Sequence, residues 1–115
     1  MAYHSTDLDA LFQSLADPTR RAILQRLTQG PATVTDLARP FDMALPSFMA
    51  HLKRLETAGL VSSAKDGRVR TCALVPDAFQ PVRGWLDDQR DLWEGRLDRF
   101  DDYVTNLMKA RKNDT

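Results

Sequence analysis

An apolar stripe near the C-terminal end does most to restrict what this chain can fold into. From about Pro81 to Ala110, apolar and aromatic side chains recur as Trp85, Leu86, Leu92, Trp93, Leu97, Phe100, Tyr103, Val104, Leu107 and Met108. Leu86, Trp93, Phe100 and Leu107 stand seven residues apart, and Leu97 and Val104 fall four beyond Trp93 and Phe100. Seven-residue spacing keeps side chains on one side of a helix and is what a helix–helix seam requires. A chain of 115 residues has room for only one small core. So long a helix needs a further surface against which to bury its stripe. A second copy of the chain supplies one, with Trp85 and the seven-spaced residues in the seam. A ligand pocket between protomers, lined by Trp85, Trp93, Phe100 and Tyr103, is the alternative reading of the same rings.

The acidic residues of this region, Asp87, Asp88, Asp91, Glu94, Asp98, Asp101 and Asp102, are interleaved with Arg90, Arg96 and Arg99. They read as a solvated outer face with helical pairs such as Asp87–Arg90 and Arg90–Glu94. The tail from Lys109 to Thr115 is expected to fray.

Upstream the chain is punctuated more often. Thr6 opens an apolar pattern at Leu8, Leu11, Phe12 and Leu15, which is helical spacing. Asp17-Pro18 then supplies a cap and a first-turn proline, Ile23, Leu24 and Leu27 repeat at helical spacing, and Gly30-Pro31 stops the run. A helix over 18–29 follows. Thr33-Val34-Thr35-Asp36 resembles a capping box and predicts a short helix over about 34–39, ended by Pro40. A fourth helix is expected from about Leu45 to Ala58. Pro46 is tolerated in its first turn, and Gly59 ends it. Phe48, Leu52 and Leu55 share one face of it, and Ser47, His51 and Arg54 another. From Leu60 to Val75 the period changes to two, and Asp66-Gly67 signals a hairpin. Val69, Thr71, Ala73 and Val75 alternate with Arg68, Arg70, Cys72 and Leu74, and Pro76-Asp77 closes the segment.

Lys+Arg and Asp+Glu both number 16, for a formal net charge of zero. Bulk charge therefore does not drive this chain onto nucleic acid. The distribution is uneven, however. Residues 44–75 carry Lys53, Arg54, Lys65, Arg68 and Arg70 against Glu56 and Asp66, while both flanks are net acidic. No apolar run reaches the ~18 residues of a membrane span. The start lacks the basic and apolar stretches of a signal peptide. One cysteine, Cys72, forms no intramolecular disulfide and suits a reducing cytoplasm. It reads as a small buried hydrophobe, with a redox switch as the lesser alternative. There is no Gly-rich phosphate loop, no Ser/His/acid arrangement and no Cys/His pair at a known spacing, so an enzyme is not expected.

Helix, helix, short helix, helix, hairpin and long helix make a mainly α chain with one small β-hairpin. That layout is a winged helix-turn-helix. Its fourth helix can enter a DNA major groove, and its basic hairpin can reach flanking phosphates. Residues 1–115 are read as one such domain, with a DNA-binding core over 18–75 and a wing over 61–75. Arg20 and Arg21 sit poorly for the helix dipole, and phosphate contact is one explanation.

The chain resembles the ArsR/SmtB-type winged-helix transcriptional regulators. The matching runs are Leu15-Ala16-Asp17-Pro18-Thr19-Arg20-Arg21-Ala22-Ile23-Leu24, then Leu45-Pro46-Ser47, His51-Leu52-Lys53-Arg54-Leu55-Glu56 and Ala58-Gly59-Leu60-Val61. Asp66-Gly67-Arg68 and Trp93-Glu94-Gly95-Arg96-Leu97-Asp98 match as well, so the likeness spans about residues 8–107. It implies a homodimeric repressor paired through its first and last helices, residues 1–16 and 78–110. Leu8, Leu11 and Phe12 then join Trp85, Leu86, Trp93, Leu97, Phe100, Val104 and Leu107 in the seam. It also implies a pseudo-palindromic operator in double-stranded DNA, released by an effector that this chain does not identify. The expected DNA contacts are Pro46, Ser47, Met49, Ala50, His51, Lys53 and Arg54, with Lys65, Arg68 and Arg70 on the wing.

Two departures qualify the likeness. Metal-sensing relatives carry a Cys-x-Cys type pair in the short third helix, where this chain reads Val34-Thr35-Asp36-Leu37-Ala38, and others carry His ligands on the last helix, where it has none. His4, His51 and Cys72 are not paired at ligand spacing. No metal or cofactor is therefore expected. Relatives also often cap the fourth helix with a hydroxyl where Ala44 stands, and have Ser-Lys or Ser-Arg at Met49-Ala50. A winged-helix protein–protein module without DNA binding is the rival reading.

Overall fold

A computed structural model describes the backbone of residues 5–113 and the side chains of residues 8–111. His4 lies outside the described residues. The chain divides into two compact units, residues 1–82 and 83–115.

In the first unit, α1 (Ser5–Leu15) is followed by α2 (Pro18–Leu27), β1 (Ala32–Thr33), α3 (Val34–Ala38), α4 (Leu45–Thr57), β2 (Val61–Asp66) and β3 (Val69–Leu74). The long helix α5 (Gln80–Asn113) begins in this unit and makes up the described part of the second.

The local signals act as their chemistry requires. The Asp17 carboxylate accepts from the Arg20 backbone N–H at 3.0 Å, and Pro18 opens α2 where no hydrogen bond is lost. The Thr33 hydroxyl accepts from the Asp36 N–H at 3.1 Å and caps α3. The Asp36 carboxylate is directed instead to Arg39, at 3.2 Å. α4 starts at Ala44 with no side-chain cap, as the missing hydroxyl implies. It ends firmly: Gly59 takes φ +80°, its N–H donates to the Glu56 carbonyl, and the Leu60 N–H donates to the Leu55 carbonyl, each at 3.0 Å. This double closure brings the fully buried Leu55 and Leu60 together in the core.

The core is made by Ile23, Leu24 and Leu27 of α2, Leu37 of α3, and Phe48, Leu52 and Leu55 of α4, with Leu60, Val61, Cys72 and Val82; of the alternating set Val69, Thr71, Ala73 and Val75, the first two are exposed. Phe41 adds a tilted ring contact with Phe48, centroids 5.6 Å apart. Leu11, expected on the dimer seam, belongs to this core, and Leu8 is buried too; Phe12 is the member of that trio left exposed. The Cys72 thiol is fully buried, and desolvation pushes its pKa up, with the Glu56 carboxylate adding to the effect. A thiol held protonated is a poor nucleophile, which favours the packing role.

The sheet differs from the expected hairpin in two respects. First, it has three strands in the order β1-β3-β2, because the dipeptide Ala32-Thr33 adds to the free edge of β3, with Ala32 opposite Cys72. Second, the tight loop is Gly67-Arg68 rather than Asp66-Gly67: Asp66 pairs with Val69, and Lys65 with Arg70. Gly67 has φ +63° and Arg68 does not share it. That is the type II′ pattern, with glycine at the first central position.

In the second unit α5 continues unbroken to Asn113, past the expected fraying point at Lys109. Lys109 and Arg111 in its closing turns suit the negative end of the helix dipole. Arg90 meets Asp87 at 3.6 Å and Asp91, rather than Glu94, at 3.9 Å. Leu86, Trp93, Leu97, Phe100 and Leu107 are exposed, and Val104 is half-buried. No described helix is long and apolar enough to cross a membrane.

The Asp17 cap gives the first expected result. Replacing Asp17 with Ala costs about 1 kcal/mol, the usual value of a lost N-cap, read as a lowered melting temperature. The Arg20 N–H holds the Asp17 carboxyl below its ordinary pKa. Because the folded pKa is depressed, the stabilisation is complete above the unfolded value of about 4 and is lost as pH falls through the folded one. Asp17→Ala therefore removes this part of the acid destabilisation seen in the parent chain.

Candidate nucleic-acid interface

α4 is amphipathic by construction. Phe48, Leu52 and Leu55 anchor it in the core, which turns Pro46, Ser47, Ala50, Lys53 and Arg54 to solvent. With 13 residues it is about 20 Å long, enough to lie in a major groove about 12 Å wide. Two clefts flank its outer ridge. One is lined by Thr33, Val34, Thr35 and Met49 together with Lys65, Arg68, Val69 and Arg70 of the wing. The other is lined by Ala10, Gln13 and Ser14 of α1 with Ala50, Lys53, Arg54 and Thr57.

The wing tip gathers three exposed cations, Lys65, Arg68 and Arg70. Lys65 and Arg70 are direct cross-strand partners. Like charges so placed are mutually destabilising, an arrangement that an anion lying over both would relieve. Arg70 is also positioned from behind: its Nη1 donates to the Ser63 hydroxyl at 2.8 Å, and that hydroxyl donates to Glu56 Oε1 at 2.7 Å. The chain Arg70–Ser63–Glu56 thus ties the wing to the last turn of α4. Sequence reasoning missed it, because Ser63 lies on an ordinary polar strand position and its partner is in another element.

Met49 and His51, expected on the DNA-facing side, stand at its two margins. Met49 is half-buried, packs on the core and borders the wing cleft. His51 is half-buried at the opposite edge, where Arg20 Nη1 lies 3.0 Å from its Nδ1. Asp17 Oδ2 lies 3.7 Å from the same nitrogen. Arginine has no acceptor, so the shorter contact requires a bare lone pair on Nδ1. A hydrogen bond at this contact takes the tautomer that carries its proton on Nε2. Arg20, one of two arginines considered for phosphate contact, is committed inward; Arg21 remains exposed and donates to the Leu15 carbonyl at 2.7 Å.

Among the described residues no group of three or more His, Cys, Asp or Glu could hold a metal ion. The short third helix, which carries thiols in metal-sensing relatives, offers Asp36 already paired with Arg39.

An exposed helix flanked by a basic hairpin, both seated on a small helical core, makes a winged helix-turn-helix, a fold through which DNA-binding proteins place a helix in the major groove. A helix-turn-helix domain family model matches residues 15–64, the stretch from the end of α1 into β2. The chain is 43% identical over 79 residues to the HTH-type transcriptional regulator Rv2034 of Mycobacterium tuberculosis, covering 69% of this chain and 74% of that one. It is 32% identical over 79 residues to the transcriptional repressor SdpR of Bacillus subtilis, covering 69% and 88%. The crystal structure of an ArsR family transcriptional regulator superposes with a TM-score of 0.79 at 56% identity, over 82% of this chain and 97% of the other. The chain belongs to the ArsR family of transcriptional regulators.

Proposed function

We propose that the chain acts in the cytoplasm as a homodimeric repressor on a pseudo-palindromic operator. Each protomer places the outer ridge of α4 in a major groove, with the wing tip beside it on the phosphate backbone. The observation that carries this reading is the joint exposure of Lys53 and Arg54 on α4 and of Lys65, Arg68 and Arg70 on the wing, in a chain of zero net charge. Phosphate contacts position the protein, while Ser47 and the small apolar groups of Pro46 and Ala50 meet base edges, thymine methyls included. Two-fold symmetry sets half-sites about 34–36 Å apart or a multiple of that. An effector of unassigned chemistry would act by biasing the relation between the two reading heads.

Footprinting on the DNA upstream of the protein's own coding region tests this. The expected result is a protected, two-fold-related site whose affinity falls steeply between 50 and 200 mM salt, as neutralising several phosphates requires. Absence of any protected sequence at low salt, with the fold intact by circular dichroism, would favour a protein–protein module instead.

A further inference from the structure

The buried cation next to the recognition helix has no place in the contacts above. Arg20 is 9% exposed. Its Nε donates to the Ser14 carbonyl at 2.9 Å and its Nη2 to the Gln13 carbonyl at 2.8 Å, both in the closing turn of α1. Its Nη1 is left for His51, at 3.0 Å. Its own backbone N–H is held by the Asp17 cap. One planar, rigid group thus joins the end of α1, the start of α2 and the flank of α4.

We infer that Arg20 is a positioning residue for DNA reading: held on the α1 carbonyls, its guanidinium fixes the His51 ring through Nδ1, so that His51 offers DNA the Nε2–H and no other donor. The inference rests on the DNA-binding function proposed above and adds a role within it.

The chemistry leaves little latitude. A neutral imidazole has one N–H, and its other nitrogen decides which. The charged groups that face the ring are Asp17, the cap of α2, and Arg20 in its first turn. On its own helix the polar groups one turn away are Ser47 and Arg54. Asp17 alone would favour a proton on Nδ1; Arg20, the closer group and unable to accept, excludes it. Buried as it is, Arg20 makes no phosphate contact, so its influence on DNA passes through His51.

The test uses the full chain. In the free protein at pH 8, two-dimensional ¹⁵N–¹H spectra of the imidazoles, with His51→Asn to identify the His51 signals against those of His4, should show His51 as a single tautomer protonated at Nε2. Arg20→Met should abolish that preference. On a duplex carrying the footprinted site, Arg20→Met should weaken specific binding about tenfold, the scale of one hydrogen bond to a charged group, with the salt slope unchanged. In a His51→Ala background the same substitution should have no further effect on binding. His51→Gln, which keeps a donor near Nε2 but has no Nδ1, guards against an Arg20→Met chain that fails to fold, and should show the same loss.

Equal losses from Arg20→Met in both backgrounds overturn the inference, as does a salt slope lowered by about two, the signature of one phosphate contact in each protomer. Wild-type protein that binds no duplex overturns it together with the proposed function. Binding that survives with additive losses overturns the inference alone.

Discussion

Replacing Lys65, Arg68 and Arg70 together with alanine should weaken operator binding by about three orders of magnitude near 100 mM salt. Each phosphate neutralised contributes close to one unit to the salt slope, and a dimer presents the three cations twice. The slope itself should therefore fall by up to about five units, which separates lost phosphate contacts from lost base reading. The same substitutions should not destabilise the free protein. Lys65 faces Arg70 directly across the strands, and relieving that repulsion, worth a few tenths of a kcal/mol, offsets the loss of the exposed Arg70–Ser63 hydrogen bond. A large loss of binding with nearly unchanged stability is hard to produce by misfolding. Arg90→Ala is the matched control, since Arg90 pairs with Asp87 and Asp91 on α5. Fluorescence titrations at several salt concentrations, with thermal melts alongside, measure both quantities. An unchanged slope in the triple variant refutes the phosphate role of the wing.

Placing a glutamate at Phe100 and another at Leu97 should turn a dimer into a monomer. Both residues are exposed in the single chain, as are Leu86, Trp93 and Leu107 of the same stripe. Pairing with a second copy would bury that stripe, at about 25 cal/mol for each Å² of apolar surface removed from water. Two carboxylates per chain in the seam would have to be desolvated next to one another, which costs more than the lost contacts alone. Light scattering at micromolar concentration should give twice the 13.0 kDa chain mass for the parent, and the single mass for Leu97→Glu/Phe100→Glu. Operator affinity should fall as well, because two linked reading heads bind as one unit and separate heads do not. A parent chain that scatters as a monomer sinks this reading outright.

Much of the architecture is legible from local chemistry. Asp17-Pro18, Thr33, Pro46 and Gly59 each act on the backbone within one turn of themselves, so their effect does not depend on distant residues. The period-3.6 and period-2 patterns likewise assign Phe48, Leu52 and Leu55 inward and mark the wing. The outer ridge of α4 is legible because it is what remains once that inward face is assigned. Other features were not legible, and the reasons differ. The loop at Gly67-Arg68 sits one residue beyond the expected one, since a glycine serves either primed turn and only strand pairing selects between them. Two residues at Ala32-Thr33 are too short to carry a pattern, and they become a strand only because β3 offers a free edge. Leu11 and Phe12 belong to one helical pattern, yet the first lies in the core and the second at the surface.

The electrostatic links belong to the same group. Nothing near Arg20 in the chain indicates that His51 accepts from it, thirty-one residues away, and nothing near Glu56 indicates that Ser63 carries its influence to Arg70. Secondary structure, its punctuation and the class of the protein follow from interactions between residues a few positions apart, which the order of the chain itself specifies. The partner of a buried guanidinium and the register of a wing depend on contacts between elements. Those exist only after packing has fixed distances to a few tenths of an ångström, the scale on which hydrogen bonds form or fail.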